Sequence, residues 1–170
     1  MNAPAVKIRL LQGFSDPAVT PRDWLDMLSH GPTNTVFLTW HYLNAWWESF
    51  GRGRLLLLAA EKDSRPTALA PLFCDGGMVF FAGSGGSDYL DFIGEAGDAV
   101  TLAALLGAAR EMAPGFAGFR FYHVPEASPT GGALCEAADS LGMLLCDEGE
   151  RSEEHTSELQ SQFNLVCRLL

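Results

Sequence analysis

The chain of 170 residues carries 21 Asp and Glu residues against 11 Lys and Arg residues, which gives a net charge of −10 at pH 7. An acidic surface of this kind repels phosphate groups, so nucleic acids and anionic membranes are poor partners. No apolar run approaches the roughly 18 residues of a membrane span, and the N-terminus lacks a signal-peptide pattern, so we expect a cytoplasmic protein without membrane insertion.

Three cysteines precede residue 150, namely Cys74, Cys135 and Cys146, and none forms a CxxC pair. This spacing argues against a disulfide framework and against a zinc site. We therefore predict that they are small buried side chains in a reducing compartment. Neither His41 nor His123 has a partner at metal-ligand spacing, so no metal is expected.

One strand and two helices are predicted in the first part of the chain. Alternating apolar residues predict the strand, and capping residues followed by helical spacing predict the helices. The elements are Lys7–Gln12, Pro21–Ser29 and Trp40–Phe50. Thr39 caps the second helix and Gly51 ends it. The stripe of this helix, formed by Leu43, Trp46, Trp47 and Phe50, is interpreted as core-facing. A platform for a ligand is the alternative for Trp40, Trp46 and Trp47.

The middle of the chain is predicted to form an antiparallel meander, because the connections between its apolar runs are too short for a crossover. The predicted strands are Arg54–Glu61, Pro66–Cys74, Met78–Ala82 and Tyr89–Ile93. A glycine-rich loop, Gly83–Asp88, precedes the last of these strands.

Helices and strands alternate after the meander. Asp98 caps an apolar helix that runs to Met112, and Ser128 with Pro129 opens another helix, which Gly142 ends. The remaining predicted strands are Phe116–Val124 and Met143–Cys146. The order β-α-α-β-β-β-β-α-β-α-β predicts an α+β (mixed α/β) domain of three layers, in which helices flank a mostly antiparallel central sheet.

The candidate ligand-binding residues lie at the end of the glycine-rich loop and directly after it, and they are Ser87, Asp88, Tyr89 and Asp91. A phosphate-binding loop runs into a helix N-terminus, whereas this loop runs into a predicted strand. On a strand, Tyr89 and Asp91 share one face, which suits a polar ligand. The alternative is a solvated face on which Asp88 closes an Asx turn. No residue is assigned a catalytic, cofactor-binding or metal-binding role.

The last twenty residues, 151–170, begin Arg-Ser-Glu-Glu-His-Thr-Ser-Glu-Leu-Gln-Ser and end Asn-Leu-Val-Cys-Arg-Leu-Leu. Both runs resemble one reading frame of the adapter that is ligated to short-read sequencing libraries. We therefore interpret residues 1–150 as a native N-terminal domain and residues 151–170 as a non-native tail. The natural protein is expected to continue past Glu150, so the native domain is expected to be incomplete here.

Ordered runs within the native part carry a further resemblance. They are Val36–Leu43, Trp46–Gly51, Ala68–Leu72, Ser87–Asp91 and Arg120–Pro129. Taken together, they resemble the N-terminal half of the BioF2-like acetyltransferases, also called CelD-like proteins of cellulose biosynthesis, in the GNAT superfamily.

The resemblance implies a pair of GNAT-like halves, similar to the FemAB-type transferases, in which an acyl group passes from acyl-CoA (acetyl-CoA) to an amine. Donor binding and transfer are expected mainly in the missing C-terminal half, so the fragment is expected to be inactive alone. A small-molecule or polysaccharide-precursor amine is the expected acceptor. A non-catalytic scaffold or ligand-binding GNAT-like module is the alternative.

The GNAT pyrophosphate loop, Gln/Arg-x-x-Gly-x-Gly/Ala, should lie before the apolar helix, where this chain has Ile93–Asp98. The segment begins without Gln or Arg and carries Glu95 and Asp98 where phosphates would lie. Binding of acyl-CoA by this half is therefore disfavoured on charge grounds. We also predict that a sheet edge and an apolar surface are left uncovered where the missing half docks.

Overall fold

The computed structural model describes residues 6–147 and 162–169 and confirms the mixed α/β class. Its strands are β1 (Lys7–Leu10), β2 (Arg54–Lys62), β3 (Arg65–Asp75), β4 (Met78–Phe81), β5 (Ile93–Gly94), β6 (Gly118–Pro125), β7 (Met143–Asp147) and β8 (Gln162–Leu169). Its helices are α1 (Pro21–His30), α2 (Trp40–Phe50), α3 (Ala99–Met112) and α4 (Thr130–Ser140).

Capping residues place α1, α2 and α3 where the sequence predicts them. The Thr20 hydroxyl accepts the Asp23 N–H and the Asp23 carboxylate accepts the Thr20 N–H, which completes a capping box at the start of α1. Thr39 caps α2 and Asp98 caps α3. These local hydrogen bonds satisfy backbone donors that have no partner inside the helix.

The described strands form one sheet in the order β1-β2-β3-β4-β6-β8-β7, with β5 beside β3. All of the observed pairings are antiparallel except that of β4 with β6, so the predicted meander is confirmed over β2, β3 and β4. The strands β1 and β7 are the edges. Leu144 on β7 is 52% exposed, and the docking of another domain at this edge stays a prediction.

Helices cover both faces of the sheet, which gives the three predicted layers. Successive residues of β2 from Leu56 to Glu61 are buried, so side chains on both faces of this strand are covered. On one side α3 packs on β1, β2 and α4, while α4 also packs on β7. The helix α1 contacts α2, β3 and β5. The core is therefore built around the central strands.

Part of the adapter-like tail lies inside the sheet. Residues 162–169 form β8, which pairs antiparallel with β6 on one side and with β7 on the other. Leu165, Val166 and Cys167 are buried there. The junction at Glu150–Arg151 and the tail up to residue 161 lie outside the described residues.

The strand prediction for Tyr89–Ile93 is wrong, because only Ile93 belongs to a strand. The short strand β5 pairs with Ala68 and Leu69 of β3, while β4 pairs with β3 farther along. Residues 82–92 leave the sheet between these two segments. The N–H of Leu90 is donated to the carbonyl of His123 on β6 (3.1 Å), so the excursion is bonded to the strand on its far side.

The cysteines are free thiols, and their burial is only partly as predicted. Cys74 is buried, whereas Cys135 and Cys146 are exposed, so the prediction is wrong for those two. Cys135 lies on α4 and Cys146 lies on the edge strand β7. In the tail, Cys167 is buried in β8, and burial raises the pKa of its thiol to about 12.

Candidate functional site

Asp91 is a fully buried carboxylate that holds three separate segments of the chain together. Its Oδ2 accepts hydrogen bonds from the hydroxyls of Thr33 and Ser128, each at 2.6 Å. Its Oδ1 accepts the Thr130 hydroxyl at 2.6 Å and the Phe92 N–H at 2.8 Å. Four donors on two oxygens satisfy the carboxylate without a positively charged partner. We call this group the Asp91 cluster.

The Asp91 cluster lies at the N-terminus of α4. Thr130 is the first residue of that helix, and the preceding Pro129 provides no side-chain cap. A carboxylate at this position is favourable because the positive end of the helix dipole faces it. Burial raises the pKa of Asp91 above its ordinary value, while the hydrogen bonds from Ser128, Thr130 and Thr33 act in the opposite direction.

The other candidate residues do not join this cluster. Ser87 is buried and its Oγ lies 2.7 Å from the hydroxyl of Tyr42 on α2. Asp88 is largely exposed, with Oδ1 3.9 Å from Nδ1 of His123. Tyr89 has a φ of +56° and is half-buried. The predicted shared face of Tyr89 and Asp91 is therefore wrong, since no strand forms there, and Asp91 is directed into the interior.

One acidic side chain, Asp98, caps α3, and a second, Glu95, precedes it in the chain. Asp98 Oδ1 accepts the N–H of Thr101 at 2.8 Å, and Glu95 lies 3.2 Å from Lys62 Nζ. Burial acts to raise the pKa of Asp98, but the hydrogen bonds from Thr101 and the charge of Lys62 outweigh it and hold that pKa below its ordinary value. An ionised carboxylate therefore occupies the place where a pyrophosphate would need helix N–H groups. The residues present do not fit a coenzyme A pyrophosphate at this position.

An aromatic cavity of about 450 Å³ lies between α2, β3 and the glycine-rich loop. It is lined by Tyr42, Trp46, Phe50, Arg52, Phe73, Ser84, Gly85 and Gly86. The core prediction for the α2 stripe holds for Leu43, which is fully buried, but not for Phe50, which is 68% exposed. The cavity was not predicted, although a ligand platform on α2 was the alternative there and Tyr42, Trp46 and Phe50 recur at every fourth residue.

Comparisons with known proteins identify the fold. No family model matches the chain, and no curated protein matches it. A GNAT-family acetyltransferase from Streptococcus pneumoniae matches with a TM-score of 0.52 at 12% identity, over 97% of this chain and 99% of that one. A probable acetyltransferase from Staphylococcus epidermidis matches with a TM-score of 0.48 at 9% identity, over 95% of this chain and 97% of that one. The match to the Streptococcus pneumoniae protein shows that this chain has the fold of a GNAT acetyltransferase.

Within residues 6–147 and 162–169, no helix combines the length and apolar character that a membrane crossing requires. In the same part of the chain, no group of three or more His, Cys, Asp or Glu side chains could hold a metal ion.

Proposed function

We propose that this chain is a GNAT-like domain of a cytoplasmic N-acyltransferase that moves an acyl group from acyl-CoA to an amine, and that the acyl donor binds in a second domain. The fold supports the general class of reaction. The single observation that favours a separate donor site is the start of α3, where Asp98 caps the helix and Glu95 precedes it, in the segment expected to hold the pyrophosphate.

In such a reaction, the neutral amine attacks the thioester carbonyl, a C–N bond forms and the C–S bond breaks. A base or a water chain takes the amine proton, and the thiolate of coenzyme A leaves. Backbone N–H groups stabilise the oxyanion of the tetrahedral intermediate. We place these groups in the second domain and assign no catalytic residue to this chain.

Calorimetric titration with acetyl-CoA tests the proposed division of labour. The chain is expected to show no binding up to about 1 mM, because the pyrophosphate would face ionised carboxylates rather than free N–H groups. The two-domain protein, under the same conditions, is the positive control. Acetyl-CoA turnover by this chain alone would contradict the proposal.

We further propose that the natural protein is a BioF2-like (CelD-like) acetyltransferase whose coding sequence is interrupted after Glu150. The resemblance of residues 151–170 to sequencing adapter supports this proposal. According to this proposal, β8 takes the place of a strand from the natural protein. A strand between β6 and β7 must form backbone hydrogen bonds on both sides and carry an apolar run, and residues 162–169 meet both requirements.

Long-read sequencing of the source DNA across the Glu150–Arg151 junction, without that adapter, tests this second proposal. New coding sequence in place of the Arg151 codon is expected, and the Gln/Arg-x-x-Gly-x-Gly/Ala pattern should then be found downstream. A genomic origin of residues 151–170 would show that the tail is native and would refute the proposed truncation.

The alternative function is a non-catalytic GNAT-like module that binds a ligand or serves as a scaffold. The observation that favours it is the aromatic cavity, which is distinct from the Asp91 cluster and from the start of α3. A continuation of the natural sequence without a second GNAT-like domain would support this alternative over the acyltransferase.

A further inference from the structure

The aromatic cavity has one wall of rings. Tyr42, Trp46 and Phe50 lie at every fourth residue of α2, so they form one ridge along the helix. Phe73 on β3 continues this wall, with its ring centroid 5.7 Å from that of Trp46 and the two planes inclined at 46°. Ring pairs at this separation prefer tilted or offset contacts. The planar ring of a ligand can pack against these side-chain rings in the same way.

The opposite wall is backbone. A Cβ atom added at Gly85 or Gly86 would meet nothing within 4 Å, so both positions border open space. The Ser84 hydroxyl oxygen beside them is shielded from solvent and has no hydrogen-bond partner among the described residues. An unsatisfied buried hydroxyl is costly, by about 1–3 kcal/mol. A small movement of the glycine-rich loop would allow a ligand to satisfy it.

The two ends of the cavity differ in charge. At the inner end, the Tyr42 hydroxyl lies 2.7 Å from Ser87 Oγ. At the rim, Arg52 Nε lies 3.1 Å from Asp75 Oδ2, and both side chains are exposed. The guanidinium has five N–H donors, so donors remain for a second partner beside Asp75. The rim can therefore bind an anionic group of a ligand whose ring lies deeper.

From this arrangement we propose that the aromatic cavity binds a small aromatic carboxylate, with its ring between Trp46 and the glycine-rich loop and its carboxylate at Arg52. A volume of about 450 Å³ is in the range of small-molecule sites. The proposal is independent of acyl transfer, because it concerns binding alone.

Heteronuclear NMR of nitrogen-labelled protein, titrated with phenylpropionate, tests the site. The indole N–H signal of Trp46 is expected to shift. The indole N–H groups of Trp24 and Trp40 serve as internal controls, because they donate to the carbonyls of Leu38 (2.9 Å) and Phe14 (2.8 Å) elsewhere in the domain. No shift up to about 10 mM, or equal shifts of all indole signals, would overturn the proposal.

Variants and analogues separate the ring contact from the charge contact. Trp46→Leu is expected to weaken binding about fivefold through loss of ring contacts. Arg52→Met is expected to weaken phenylpropionate about threefold and to leave the uncharged phenylpropionamide unaffected. Phe116→Leu, an aromatic substitution outside the cavity, is expected to leave affinity unchanged. Equal affinity for cyclohexylpropionate would refute the aromatic class, and an equal effect of Arg52→Met on the amide would refute the carboxylate.

Discussion

The helices α3 and α4 both begin next to a carboxylate. The carboxylate at α3 is close to the helix in sequence, whereas the carboxylate at α4 is far from it in sequence. Asp98 directly precedes α3 and caps it through the Thr101 N–H. Asp91 reaches the start of α4 across 39 positions of sequence and accepts the Thr130 hydroxyl. The first arrangement is local and can be recognised from sequence, whereas the second depends on the packing of three segments.

The carboxyl groups at these two helix N-termini also bear on function. A helix N-terminus attracts an anion through its free N–H groups and its dipole. In this domain a carboxyl group of the protein lies at each of these two N-termini. Neither is therefore a favourable place for phosphate groups, which supports the proposal that the donor binds in a second domain.

Removal of the remote carboxylate should have the largest effect. Asp91→Ala leaves Thr33, Ser128 and Thr130 without their common acceptor, and we expect a loss of about 3 kcal/mol in the free energy of unfolding. Urea denaturation of the 170-residue chain measures this loss. Asp91→Asn is the matched control, because its amide oxygen still accepts hydrogen bonds, and its loss should be smaller. A loss below about 1 kcal/mol for Asp91→Ala would show that the cluster does not hold the segments together.

Removal of one donor from the Asp91 cluster should have an intermediate effect. Thr130→Val deletes a 2.6 Å hydrogen bond to the buried carboxylate, and we expect a loss of about 1.5 kcal/mol. Thr35→Val is a suitable control in the same denaturation experiment. Its hydroxyl lies 3.5 Å from the Tyr89 carbonyl, and its loss should stay within about 0.5 kcal/mol. Equal losses for the two variants would argue against a special role of Asp91.

Removal of the local carboxylate should have a smaller effect. Asp98→Ala deletes the cap of α3, and a helix cap of this type contributes about 1 kcal/mol. Glu95→Ala is the control, because Glu95 is an exposed neighbour that does not cap the helix. Thermal unfolding of both variants should show a lower Tm for Asp98→Ala than for Glu95→Ala. The reverse order would mean that the Thr101 hydrogen bond does not stabilise α3.

The pH dependence should distinguish the two carboxylates by sign. The pKa of Asp91 is raised in the folded state. Its contribution to the free energy of unfolding is therefore present below the ordinary Asp pKa of 3.8 and is lost as pH rises through the folded-state pKa. The pKa of Asp98 is lowered, so its contribution is present above 3.8 and is lost as pH falls through the folded-state pKa. The effect of Asp91→Asn should thus be larger at low pH than at neutral pH, and that of Asp98→Asn should show the opposite trend. Denaturation at the two pH values checks this, and parallel trends would contradict it.

The sequence predicted the elements whose signals are local. The cap at Thr39 and the glycine at position 51 bound α2 as predicted. The glycine is required there, because an added Cβ would lie 2.3 Å from the Trp47 carbonyl oxygen. The short turns of the meander likewise fixed the antiparallel pairing of β2, β3 and β4.

The candidate site was predicted less well. The segment Tyr89–Ile93 has the alternating pattern of a strand. However, the Leu90 N–H donates to β6, and the Asp91 carboxylate accepts hydrogen bonds from Thr33 and Ser128. Such long-range partners override a local preference for strand. The substrate-binding role of Ser87, Asp88, Tyr89 and Asp91 stays a prediction, although Ser87 and Asp91 are buried and point to different neighbours.

By itself, the sequence determined the class of fold, the helix boundaries and the acidic character of the α3 N-terminus, because each depends on residues a few positions apart. The tertiary structure alone decided that residues 82–92 leave the sheet, that Asp91 reaches the start of α4, and that α2 and β3 enclose an aromatic cavity with the glycine-rich loop. The physical reason is that burial and long-range hydrogen bonding depend on which segments pack together, and a local pattern does not contain that information.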